Sequence, residues 1–254
     1  MAALETGELS GAVAVVSGGL GDIGRATAHA LLAAGARVAI SDLAPRTAGQ
    51  AALPQAHYSR VDVTRPTEIK QWLRNVERTL GLPSLIICNA GIVRPADALS
   101  ATHRDWRRTM AVNLDGAYFL AQYGARRLVR LRRPGRIVFV GSWVAEIPDP
   151  RIAAYCVAKA GLRAAMKCLA LELAPHGILV NEIAPGKLDA GLSAEIFRQQ
   201  PGLRARARRG IPLRELIDAS EVARAIVDLC QPRLRHMTGS VVLMDGGLSL
   251  VPPR

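Results

Sequence analysis

The chain has 254 residues, half of them hydrophobic, which is ample for one large α/β core, and no apolar run approaches the roughly 20 residues needed to span a bilayer. The formal charge of +12 is almost all arginine, lysine occurring only at positions 70, 159, 167 and 187. Four cysteines (Cys88, Cys156, Cys168, Cys230) without C-x-x-C spacing argue against a disulfide or zinc scaffold, and the opening MAALETGELSG has no basic n-region of a secretory leader, so a cytoplasmic protein is expected.

Ala12 to Ser17 is a valine-rich run with the composition of a buried strand. Gly18, Gly19, Gly21 and Gly24 follow, then an alanine-rich helix to about Ala34, which Gly35 ends. A second strand, Arg37 to Ser41, closes on Asp42. This βαβ unit has a glycine-rich first turn whose backbone can approach a pyrophosphate, a helix N-terminus that favours negative charge, and an acid placed to accept hydrogen bonds from an adenosine ribose diol. The strand before the glycines, the helix after them and the acid 18 residues beyond Gly24 form the context that gives such a turn meaning.

An Ala/Gly/Pro-rich segment leads to a strand over His57 to Val61, followed by Asp62 and Val63. Thr64 to Leu80 has helical spacing, Ser84 to Cys88 is a fourth strand, and Asn89-Ala90-Gly91 follows its carboxyl end. Ala111 to Leu131, containing Asn113, reads as a long helix, and Arg136 to Gly141 as a fifth strand. Ser142 stands just past that strand, where open α/β sheets hold their ligands. Pro148 and Pro150 keep the next stretch non-helical, and a helix over Ile152 to Ala174 carries Tyr155 and Lys159 at i and i+4 on one face. A phenol with an ordinary pKa of about 10 is a poor base, but a nearby ammonium favours the phenolate, and a tyrosine so tuned can exchange a proton with an alcohol.

Gly177 to Glu182 is a sixth strand ending in Pro185-Gly186. Lys187 to Leu213 is polar and irregular, Asp218 to Cys230 is a helix that Asp218 or Ser220 can cap, and Ser240 to Met244 is a last strand before Asp245-Gly246-Gly247. Strands alternate with helices without a linker or composition break. The pattern predicts one domain over 1–254, a Rossmann-type doubly wound parallel α/β sheet of about seven strands with helices on both faces, with residues 187–214 as a loop or helical segment after the sixth strand. Two arginine clusters, Arg126 to Arg133 and Arg198 to Arg214, could meet nucleic acid or an acidic partner, but no nucleic-acid motif accompanies them.

The glycine turn Ser17–Gly24, Asp42, Asp62-Val63, Asn89-Ala90-Gly91, Asn113, Ser142, Tyr155-x-x-x-Lys159, Pro185-Gly186 and Asp245-Gly246-Gly247, in that order over nearly the whole chain, resemble the short-chain dehydrogenase/reductase family. The resemblance implies that Tyr155 is the general acid/base, that Lys159 lowers its pKa and holds the nicotinamide ribose, that Ser142 holds the substrate oxygen, and that Asn113 kinks its helix and supports a water beside Lys159. It implies a dinucleotide site of Ser17, Gly18, Gly21, Asp22, Ile23, Gly24, Asp42, Leu43, Asp62, Val63, Asn89, Ala90, Gly91, Tyr155, Lys159, Pro185, Gly186 and Leu188, no metal, and a homotetramer built on the helices over 111–131 and 152–174. Two departures from the family pattern stand out. Asp22 replaces a glycine of the turn, where it could cap the helix or face the pyrophosphate. Ala190 stands where a threonine often meets the nicotinamide amide, with Ser193 or the Leu188 backbone as substitutes.

Asp42, with Leu43 after it and only Arg46 as a nearby cation, points to NAD rather than NADP. The expected activity is hydride transfer between NAD and a secondary alcohol or ketone, in a pocket of Trp143, Val144, Glu146, Ile147, Leu188, Leu192, Ile196 and Phe197, with Arg94 available to a carboxylate. Alternatives are an NADPH-dependent 3-oxoacyl-thioester reductase, whose acidic carrier would dock on the arginines, and a non-catalytic nucleotide sensor or nucleic-acid binder on the same fold.

Overall fold

The structure, a computed structural model, describes residues 8–189, 197 and 201–251. Ala190, Leu192, Ser193, Ile196 and Arg198 lie outside the described residues. Seven parallel strands form one sheet in the order β3-β2-β1-β4-β5-β6-β7: β1 (Val13–Ser17), β2 (Arg37–Asp42), β3 (His57–Arg60), β4 (Leu85–Cys88), β5 (Gly135–Val140), β6 (Ile178–Pro185) and β7 (Val241–Met244). The chain winds outward from β1 through β2 to β3, then returns to β4 on the other side. That reversal between β1 and β4 is the place where such sheets open a crevice at their carboxyl edge.

Successive strand residues point to opposite faces, and both faces are covered, so the strands are apolar without alternation. Ala14, Val16, Ile87, Val138 and Val140 join one core with Ala28 and Leu31 of α1 (Asp22–Ala33). Val13, Val15, Ile86, Ile137 and Phe139 join the other with Ile69, Trp72 and Val76 of α3 (Pro66–Thr79). A helix over Arg46–Ala52 (α2) occupies the Ala/Gly/Pro-rich segment before β3, to which the sequence pattern assigns no element.

The helix expected over 111–131 is three pieces: α4 (His103–Met110), a π-helical turn (Ala111–Gly116) and α5 (Ala117–Arg130). α4 begins eight residues early because the Thr102 hydroxyl accepts from the Asp105 amide and caps it. The π turn is held by Asn113, whose Nδ2 donates to the carbonyls of Thr109 and Ile92 while its Oδ1 accepts from the Ile92 amide. The expected kink is therefore a local unwinding anchored to the loop after β4.

α6 (Ala153–Leu173) carries Tyr155 and Lys159. The stretch 187–213 is not irregular throughout, since α7 (Pro201–Gly210) forms within it from good helix formers, Arg and Ala. α8 (Ala219–Cys230) packs on α1 and starts with a reciprocal cap: Asp218 accepts from the Ser220 amide, and Glu221 accepts from the Asp218 amide. No helix among the described residues is long and apolar enough to cross a membrane.

Candidate active site

A cleft of about 1470 Å³ opens at the carboxyl edge of the sheet. Its walls bring together Gly18, Gly21, Asp22, Ile23, Gly24 and Asp42 from the first βαβ unit and Asn89, Ala90 and Gly91 from the end of β4. Ser142, Tyr155, Lys159, Pro185, Gly186 and Leu188 join them, with Trp143, Val144, Ile147 and Phe197 of the expected substrate pocket, while Glu146 does not line the cleft.

The first turn is held by polar contacts that position backbone. The buried Ser17 hydroxyl accepts from the amides of Asn89 and Ala90, each at 3.1 Å, and so stands behind the wall rather than in it. Asn89 Nδ2 donates to the carbonyls of Ser17 (2.9 Å) and Gly18 (3.0 Å), locking the turn to β4. Gly18 has φ +64°, and a Cβ at Gly24 would collide with the Gly18 carbonyl oxygen, so the helix can start close under the turn only with glycine there.

Asp22 is the first residue of α1, not its cap. The cap position is Gly21, which makes no side-chain bond, and Asp22 pairs with Arg25 at 3.2 Å. Its charge lies at the positive end of the helix dipole, which explains its tolerance there.

Asp42 Oδ2 accepts from the Leu20 amide (3.1 Å) and Oδ1 from the Leu43 amide (2.7 Å), which fixes the carboxylate at the crevice. Arg46 begins α2 on the surface. The basic residue nearest this acid in the sheet is Arg60, its register partner on β3, whose Nε donates to the Leu43 carbonyl. A turn that presents the backbone of Gly18, Gly21 and Gly24 to the cleft and an anchored acid beside it fit a dinucleotide: the glycine turn would hold its pyrophosphate and Asp42 its adenosine ribose.

Asp62 and Val63 stand away from the cleft walls. Burial raises the Asp62 carboxyl, but the hydrogen bonds from Thr64 and the charge of Arg108 outweigh it and hold the acid below its ordinary pKa. Leu43 and Asn113 also lie outside the walls; a Cβ on Gly91 would press on Asn113 Oδ1, so Asn113 backs the wall from behind.

Ser142 takes extended backbone and heads the short turn Trp143–Ala145. Burial pushes the Tyr155 phenol up to about 12, against a hydrogen bond with Ser142 that lowers it. Lys159 is not the dominant influence on that phenol. Its ammonium donates to the Val140 carbonyl at 2.7 Å and lies 5.5 Å from the centre of the Tyr155 ring. Burial drives Lys159 itself down to about 8, opposed first by the charge of Glu182.

Glu182 was absent from the sequence reading as a site residue. It is fully buried in β6, and Arg163 Nε donates to both of its oxygens at 3.2 Å. The same guanidinium donates to the Ser142 carbonyl and to Glu146, each at 3.2 Å. One arginine thus ties β6, the loop that begins at Ser142 and the helix of Tyr155 and Lys159. Gly141 leaves the room, since a Cβ there would strike the Glu182 carboxylate.

The Asp245-Gly246-Gly247 motif is structural support. Buried Asp245 accepts from the amides of Gly247 (2.9 Å) and Ser249 (2.8 Å) and packs against Gly186, where no Cβ would fit.

A family model described as enoyl-(acyl carrier protein) reductase matches residues 18–249. The 3-oxoacyl-(acyl-carrier-protein) reductase FabG of Salmonella typhimurium is 30% identical over 244 residues, covering 95% of this chain and 98% of its own. A solved short-chain type dehydrogenase/reductase from Mycobacterium marinum is 29% identical with a TM-score of 0.89, covering 96% of this chain and 97% of its own. A putative 2-deoxy-D-gluconate 3-dehydrogenase from Agrobacterium tumefaciens, solved with bound NADP, is 28% identical with a TM-score of 0.87, covering 96% and 98%.

Proposed function

Because the chain belongs to the short-chain dehydrogenase/reductase family and is an oxidoreductase of that family, we propose that it transfers hydride between NAD and a secondary alcohol or its ketone, with Tyr155 as general acid/base. The observation that carries this reading is the convergence of Ser142, Tyr155 and Lys159 in the same cleft as the glycine turn and Asp42. The dinucleotide supplies the hydride when bound. The chain's own residues hold and move the proton: Tyr155 Oη donates to the carbonyl oxygen during reduction and accepts from the hydroxyl during oxidation. The Ser142 hydroxyl orients that same oxygen, and the Lys159 charge steadies the phenolate. A non-catalytic sensor would have no use for this set.

Reduced dinucleotide carrying deuterium at C4, incubated with the protein and a panel of ketones, tests the reading. Deuterium at the carbinol carbon of a product alcohol supports it; no oxidation of either reduced dinucleotide on any ketone counts against it.

The choice of NAD rests on Asp42, whose fixed carboxylate suits a ribose diol and repels a 2′-phosphate. The NADP bound in the Agrobacterium neighbour and the similarity to the acyl-carrier reductase favour the second reading, an NADPH-dependent 3-oxoacyl-thioester reductase. Asp42→Ala separates the two. It is expected to weaken NADH binding by about tenfold while leaving NADPH binding unchanged or tighter, because hydrogen bonds to a charged acceptor contribute about 1.5–3 kcal/mol. Equal effects on both dinucleotides would mean that Asp42 does not read the ribose.

The segment 187–214 forms the substrate side in this reading, and the assembly is a homotetramer. α5 leaves Tyr118, Phe119 and Tyr123 only partly buried, and Val157 of α6 is 46% exposed, apolar surface suited to helix pairing between copies. Light scattering is expected to give four times the chain mass, and a monomer would contradict it.

A further inference from the structure

The substrate end of the cleft carries a cation that nothing in the described chain neutralises. Lys187 follows Pro185-Gly186 at the end of β6, is half-buried in the cleft wall, and holds its ammonium 5.8 Å from the centre of the Trp143 ring, next in sequence to Ser142. Among the described residues no carboxylate pairs with it. Asp189, two residues further on, is ion-paired with Arg204. Arg206, Arg209 and Arg214 line the same end, where Asp149 is the acid among the described lining residues; Asp22 and Asp42 belong to the dinucleotide end. Arg94 is exposed and outside the walls.

An ammonium held over an aromatic ring in the cleft wall, with no carboxylate beside it among the described residues, is placed to meet an anionic group of a ligand. The same cleft also presents apolar side chains, Trp143, Ile147, Leu188 and Leu248. We propose that Lys187 reads an anionic oxygen group on the substrate, so that the cleft takes carbonyl or alcohol compounds bearing a carboxylate or phosphate on a partly apolar body. This deepens the oxidoreductase reading and rests on it. Lys187 is a specificity residue; it takes no part in the proton or hydride step.

Calorimetric titration of the dinucleotide-saturated protein tests this with matched pairs: 4-oxopentanoate, 5-oxohexanoate and 7-oxooctanoate against their methyl esters, and dihydroxyacetone phosphate against dihydroxyacetone. The anionic member of at least one pair is expected to bind about tenfold or more tighter than its neutral partner, and the pair that shows it identifies carboxylate or phosphate as the group read. Lys187→Met is expected to erase that preference by weakening the anion alone, with dinucleotide affinity unchanged. Neutral members binding as tightly as the anions, no binding of any anion, or a preference surviving in Lys187→Met would overturn the proposal. So would a parallel loss of dinucleotide affinity in Lys187→Met, which would assign the ammonium to the pyrophosphate. A protein that takes up neither dinucleotide fails the oxidoreductase reading itself, which separates the two failures.

Discussion

Tyr155→Phe is expected to lower turnover by about a factor of 10³ in both directions while changing dinucleotide affinity little. The substitution removes one oxygen from a ring at the cleft wall and keeps the packing, so the loss reports the proton step alone. The phenol also sets the sign of the pH dependence. Burial holds it up near 12, so it stays protonated through the neutral range and carbonyl reduction needs no titration of it there. Oxidation needs the phenolate, whose fraction rises about tenfold per pH unit below the pKa. Oxidation should therefore climb with pH until Lys159, driven down to about 8, loses the charge that steadies the phenolate, and then flatten. Steady-state rates in both directions between pH 6 and 10 check this. Retained turnover in Tyr155→Phe, or oxidation that falls with rising pH, would remove Tyr155 from the proton step.

The second large effect concerns stability. Glu182→Leu takes from Arg163, 13% exposed, its buried carboxylate and leaves it only the exposed Glu146. Breaking such a pair from one side costs about 3–5 kcal/mol, roughly 10 °C in Tm for a chain of this size. The double variant Arg163→Met/Glu182→Leu should recover most of that, because no charge is then left buried alone. Its turnover should stay low, since the Ser142 carbonyl has lost the guanidinium that anchors its loop. A double variant as unstable as the single would show that the pair contributes through shape rather than charge. Full activity in the double variant would show that Ser142 does not need Arg163. Thermal unfolding and initial rates on the same preparations separate the cases.

The difference between Tyr155 and Glu182 shows what the sequence can reveal. Tyr155 and Lys159 stand one helical turn apart, and Ser142 follows an unmistakable buried strand, so local spacing already suggests their meeting. Strands buried on both faces, such as Leu85–Cys88, read directly from their Val and Ile content. Glu182 meets Arg163 only through the β5–β6 register and the way α6 lies on the sheet, and no local pattern carries that. The visible traces were an acid in an apolar strand and an arginine one turn beyond Lys159. α4 was legible in principle, through the Thr102-x-x-Asp105 cap, but its charged sequence hides the apolar stripe. The arginine-rich α7 hides its own in the same way, while α2 is short and has no side-chain cap. For Asp22 the sequence leaves open a cap or a side chain facing the pyrophosphate, because acids favour helix starts generally, and only the backbone shows it one position inside the cap.

Parallel fluorescence titration of the purified protein with NADH and NADPH tests the central claim most directly. An NADH constant about tenfold or more below the NADPH constant is the expected result. Tighter NADPH binding would contradict the role given to Asp42 and bring the acyl-thioester reductase reading forward. Binding of neither would contradict the oxidoreductase assignment of the cleft itself.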